Sequence, residues 1–105
     1  MIKEIAPGEV LDAISVGTAV VDFWAPDCGR CHALRAQFES ALDRNADLGD
    51  ILAVNARQDP DFAESLGVMS LPTVLIFRDG VEVHRYTDPI LSTDVLDDWR
   101  AVRAS

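Results

Sequence analysis

The feature that most limits how this chain can fold is the run Ala19 to Trp24, apolar except for Asp22, followed by a segment of helical period and then a second apolar run. From Cys28 to about Asp43, Leu34, Phe38 and Leu42 recur every fourth residue and so share one helix face. Ile51 to Asn55 then reads as a buried strand. A strand-helix-strand unit of this kind predicts a right-handed parallel crossover with the helix packed on the sheet. Asp79-Gly80, between the β-rich runs Thr73 to Arg78 and Val81 to Tyr86, is the two-residue signal of an antiparallel hairpin. The fold class that follows is α/β, a central mixed sheet flanked by helices.

The remaining elements are weaker in pattern. Ile2 to Ile5 reads as a short strand, and Pro7 to Val16 as a helix with Val10, Leu11 and Ile14 on one side. Asp59-Pro60 predicts a helix start, an acid at the N-cap and proline at the first helical position, with a short helix to Leu66. After Pro89, Ser92 or Thr93 is expected to cap a last helix whose apolar stripe is Val95, Leu96, Trp99 and Val102, with Trp99 in the core.

Composition serves mainly to exclude. A chain of 105 residues, 49% hydrophobic and 26% charged, suits one domain over residues 1–105 that buries a modest core without structural cross-links. Its apolar runs are strand-sized, short of the roughly 18 to 20 residues a membrane-spanning helix needs. The formal net charge of −9 disfavours nucleic acid and anionic membranes. So much acid gives a solvated surface, or one that selects basic partners. Ile2 to Gly8 lacks the basic start and apolar run of a secretory signal, so the chain reads as cytoplasmic.

Chemistry concentrates where the strand ending at Trp24 enters the following helix, the position at which open α/β sheets place their sites. Cys28-Gly29-Arg30-Cys31 lies there. Cysteines two residues apart at a helix start can close a small disulfide ring, and the first sits beside unpaired backbone N–H groups that favour a thiolate. The thiolate is the nucleophile in disulfide exchange, so Cys28 is expected to attack and Cys31 to resolve the mixed disulfide.

The segment Val21-Asp22-Phe23-Trp24-Ala25-Pro26-Asp27-Cys28-Gly29-Arg30-Cys31 resembles the active-site segment of thioredoxins. Leu71-Pro72-Thr73 resembles that family's second motif, and Asp79-Gly80 recurs in the hairpin after it. The resemblance covers nearly the whole chain. It implies a thioredoxin fold and a protein-disulfide reductase, a thiol-disulfide electron carrier that needs no cofactor or metal beyond its dithiol. Its partners would be disulfide-containing proteins and a flavin-dependent thioredoxin reductase as donor, and the protein would be a monomer. Asp22 would be the buried carboxylate that assists proton removal from Cys31; the bland alternative is an acid at a strand edge facing water. Pro72 would be a cis-proline facing the dithiol rather than an ordinary turn proline. Trp24, Asp27, Gly29, Arg30, Ser70, Leu71 and Asp88 would form the surface on which partners bind.

Departures from the family pattern cluster on that surface. Arg30 stands where proline is usual, bringing a cation near Cys28, while Asp27 stands for the second tryptophan and pushes the opposite way. Exposed pair effects of about 1 kcal/mol or less translate to tens of millivolts. Ala53 occupies the position of the lysine that commonly pairs with the buried acid, so Asp22 is expected to lack a partner. Ser70 replaces glycine, and Thr87-Asp88 replaces Val-Gly, turning an apolar groove polar and acidic.

Rival readings attach to the same residues. Within the fold, the dithiol could belong to a more oxidising or isomerising protein, or the domain could be a non-catalytic binding module. Cys28-Gly29-Arg30-Cys31-His32 also satisfies the pattern for covalent haem attachment, with Met69 as second axial ligand. The cysteines with His32 and His84 could supply four zinc ligands, although Cys31 and His32 project in different directions and His84 has no companion near it in sequence. His32 is otherwise an exposed helix residue beside Cys31.

Overall fold

In the computed structural model, which describes residues 1–105, the apolar runs become strands of one five-stranded sheet in the order β1-β3-β2-β4-β5. The strands are β1 (Ile2–Glu4), β2 (Thr18–Trp24), β3 (Ile51–Asn55), β4 (Thr73–Arg78) and β5 (Val81–Thr87). The helices are α1 (Val10–Ala13), α2 (Gly29–Asp43), α3 (Pro60–Ser65) and α4 (Ser92–Ala104). β3 runs parallel to both β1 and β2, whereas β4 is antiparallel to β2 and β5 to β4. The mixed α/β sheet read from the sequence is therefore the observed one.

Alternation along the central strands divides the core in two. Val20, Ile51, Val74 and Ile76 pack under α2 and α4, meeting Leu34, Phe38, Leu42, Val95, Leu96 and Trp99. Their neighbours Val21, Phe23, Val54, Leu75 and Phe77 face the other way, onto Val10 and Ile14 near α1 and Ala63 in α3. A sheet covered on both faces needs strands that are apolar on both, as β2 and β4 are. The stripe Leu34, Phe38, Leu42 is buried throughout, and Trp99 is in the core.

Local chemistry sets several boundaries. Asp59 caps α3 by accepting from the Phe62 N–H at 3.0 Å, with Pro60 at the first helical position. In the hairpin, Asp79 (φ 49°) and Gly80 (φ 83°) both adopt positive φ, as a turn matched to the strand twist requires. Asp79 does more than turn the chain, because its side chain accepts from the Gly17 N–H at 2.7 Å and its own N–H donates to the Gly17 carbonyl at 2.8 Å. This ties the hairpin to the entry of β2.

Two expectations need correction. The helix expected over Pro7 to Val16 is a 3-10 turn, Pro7–Glu9, followed by the four-residue α1. Val10 and Ile14 are buried but Leu11 is 61% exposed, since one turn against a flat sheet can bury only the i, i+4 pair. Neither Ser92 nor Thr93 caps α4: Leu91 is the N-cap and makes no side-chain cap, so Ser92 is already helical. Asp94 supplies the acid in the first turn.

Candidate active site

The register gathers the site at one end of the sheet. Trp24, the last residue of β2, pairs with Asn55, the last of β3; Phe23 pairs with Thr73, the first of β4; and Thr73 pairs with Thr87, the last of β5. The segments leaving or entering at these points carry Asp27 and the cysteines, Arg57, Leu71-Pro72, and Asp88. The Leu71-Pro72 peptide is cis, as is Asp88-Pro89, and Pro72 is buried.

Cys28 is the N-cap of α2 and is disulfide-bonded to Cys31, with Cα atoms 5.3 Å apart. The two sulfurs are not equivalent. Cys28 Sγ accepts from the Cys31 N–H at 3.2 Å, one of the orphan donors of the helix start, and Cys28 is part-exposed. Cys31 is only 2% exposed. Attack from outside can therefore reach Cys28, and the helix start stabilises a thiolate there.

Asp22 is wholly buried, which removes the alternative of a strand-edge acid facing water. Neither carboxylate oxygen has a hydrogen-bond partner. Burial pushes its pKa up to about 7, against the pull of the Arg35 guanidinium and with a further push from Glu4. As expected, Asp22 has no ion-pair partner; the cation that acts on it at longer range, Arg35, comes from α2 and is itself paired with Glu4. Sequence reading missed Arg35 and Glu4 because neither belongs to a local motif. Arg35 packs over the Trp24 ring, 4.4 Å from its centroid, and contacts Glu4 Oε1 at 3.3 Å. The Trp24 indole N–H donates to Glu4 Oε2 at 2.8 Å. His32 is exposed; its Nε2–H donates to the Pro26 carbonyl at 2.8 Å, and its ring meets Trp24 edge-on.

The charges on the rim are engaged with one another. Arg30 pairs with Asp88 at 2.9 Å, linking the start of α2 to the residue after β5. Asp27 receives both Nε and a terminal nitrogen of Arg57, at 3.2 and 3.1 Å, which lowers its pKa. Arg30 and Asp27 are therefore not the lone opposing charges read from the sequence. A groove lies alongside, about 140 Å³, lined by residues that include Ala56, Arg57, Met69, Ser70 and Leu71.

The other donor sets do not assemble. Met69 is 82% exposed in the segment before Pro72, His84 lies on β5, and no three His, Cys, Asp or Glu side chains converge to hold an ion.

A mixed sheet with an unequal, disulfide-bonded pair of cysteines at a helix start defines a protein that exchanges thiols for disulfides. Comparison with known proteins supports the same class. The thioredoxin family model matches residues 8–100. Thioredoxin of Mycoplasma genitalium is 32% identical over 99 residues, 92% of this chain and 96% of that protein. Thioredoxin of Chlamydia muridarum is 36% identical over 81% of this chain and 82% of its own. The solved structure of Malassezia sympodialis thioredoxin superposes with a TM-score of 0.80 at 20% identity, covering 98% of this chain and 91% of that one. This chain belongs to the thioredoxin family. It is a thiol-disulfide oxidoreductase, a protein-disulfide reductase whose electrons pass through the Cys28/Cys31 pair.

Proposed function

We propose that Cys28 is the attacking sulfur, Cys31 the resolving one, and Asp22 the proton acceptor that readies Cys31. In this reading the Cys28 thiolate attacks one sulfur of a substrate disulfide, forming a mixed disulfide and releasing the other sulfur as a thiolate. Cys31, its proton passed to Asp22, then attacks Cys28 Sγ. The intramolecular disulfide forms, the second substrate thiolate leaves, and the substrate has gained two electrons. The observation that carries this assignment is the difference in access, Cys28 at the surface and Cys31 buried. An acid poised near 7 suits proton transfer at neutral pH.

Pro72 is assigned to face the dithiol, and Trp24, Asp27, Gly29, Arg30, Ser70, Leu71 and Asp88 to the docking rim. Residues 1–105 act as a single cytoplasmic domain and a monomer, with no cofactor or metal. The electron donor is a thioredoxin reductase, and the paired charges on the rim restrict the substrates to partners with complementary polar groups. Cys31→Ser, offered an oxidised protein, is expected to accumulate a mixed disulfide on Cys28, while Cys28→Ser accumulates none. Mass spectrometry that located the adduct on Cys31 would reverse the roles. For the reducing direction, the equilibrium potential of the pair against glutathione is expected at or below the cytosolic poise; a value near that of strong oxidants would assign an oxidase instead.

A further inference from the structure

We propose that Arg35, held in place by Glu4 and Trp24, is a positioning residue that supplies the counter-charge for Asp22 during release of the mixed disulfide. The inference rests on the assignment of Asp22 as proton acceptor and adds the group that sets its protonation. Its first support is register. Glu4 pairs with Ala53 and Ala53 with Asp22, so the two acids lie in one row across three adjacent strands, with only a methyl group between them. Val74 continues the row on β4 and is uncharged. α4 turns Val95, Leu96 and Trp99 to this face. On β5 the row ends at Tyr86, whose hydroxyl donates to Asp98 of α4. The charges that act on Asp22 are Glu4 from β1 and Arg35 from α2.

The second support is the way Arg35 is fixed. It lies one helical turn beyond Cys31, so it shares that helix face with the resolving cysteine. Its guanidinium is confined between the Trp24 ring and the Glu4 carboxylate, and Glu4 is itself anchored by the Trp24 indole N–H. A part-buried cation held on two sides keeps a fixed distance from the acid, which a free surface arginine does not. Arg35 alone favours the charged form of Asp22, against both burial and Glu4. With the acid's midpoint near 7, a rise of one unit would cut its deprotonated fraction at pH 7 from about one half to about one tenth, roughly fivefold.

The test follows the Asp22 carboxyl carbon by NMR through a pH titration of the oxidised protein, alongside stopped-flow rates of mixed-disulfide release at pH 7. Arg35→Met is expected to raise the midpoint and slow release about fivefold, with Arg35→Lys restoring most of both. Glu4→Gln removes the charge and keeps an acceptor for one of the two donors, the Trp24 indole or Arg35, and is expected to lower the midpoint. An unchanged midpoint in Arg35→Met, or a raised one in Glu4→Gln, would overturn the proposal. The proton-acceptor assignment fails separately: Asp22→Asn releasing at the rate of the unmodified protein would refute it, even with the midpoint moving as stated in the Arg35 variants.

Discussion

Asp22 links the chemistry of this protein to its stability. In the unfolded chain its carboxyl titrates near 3.8, and in the folded protein burial raises it to about 7. Between these values the folded protein holds a proton that the unfolded chain has lost, so stability falls as pH rises through that window and is lowest above it. About three units correspond to something on the order of 4 kcal/mol. Asp22→Asn removes the titration. The oxidised variant is expected to gain on the order of 3 kcal/mol over the unmodified protein at pH 8 and little at pH 4, read by urea unfolding at the two pH values. An equal gain at both would mean that the acid is not titrating in the window. The same substitution is expected to slow release of the mixed disulfide more than its formation, because only release needs deprotonated Cys31.

Among the elements, the contact between the start of α2 and the end of β5 has the clearest functional consequence. Arg30 is the nearest cation to Cys28 in sequence, yet its guanidinium is paired with Asp88. Asp88→Asn would leave Arg30 free to stabilise the Cys28 thiolate, favouring the reduced form and raising the potential. Because the pair is exposed, the rise is expected to be only about 10 to 20 mV at low ionic strength and to vanish in 1 M salt. Equilibration with glutathione buffers at the two salt concentrations measures it. A fall in potential, or a shift insensitive to salt, would show that Asp88 acts by another route. The hairpin works differently: Asp79 joins it to Gly17 through two hydrogen bonds, so the turn helps to hold the antiparallel half of the sheet to β2.

On the scale of the whole molecule, the site depends on two cores that are separate in space but share one sheet. Phe38 is fully buried on the α2 side and helps fix that helix, whose first residues carry the dithiol. Phe38→Ala is expected to cost about 3 to 5 kcal/mol through lost burial and a residual cavity. Urea melts should show it as a lower midpoint with little change in slope. A loss below about 1 kcal/mol would mean that the core under α2 collapses around the gap. The net charge of −9 is spread over a surface where many acids are already paired, such as Asp27 with Arg57 and Glu82 with Arg85, the latter at 2.7 Å.

Several features were legible in the sequence because they depend on neighbours along the chain. The period of Leu34, Phe38 and Leu42 placed α2, Asp59-Pro60 placed the start of α3, Asp79-Gly80 placed the hairpin, and the spacing of Cys28 and Cys31 placed the dithiol. Weak local signals failed where packing overruled them, at Leu11 and at the cap of α4. What the chain order could not show is the insertion of β3 between β1 and β2, and with it the row that sets Glu4 and Asp22 on either side of Ala53. Charge pairing was equally hidden: Arg35 meets Glu4 across 31 positions, Asp27 meets Arg57 across 30, and Arg30 meets Asp88 across 58. A hydrogen-bond cap or a turn is decided within a few residues, so its signature is local. A long-range ion pair is decided by register and helix placement, so residues that read alone as free charges became partners only when the sheet brought their strands and loops to one end.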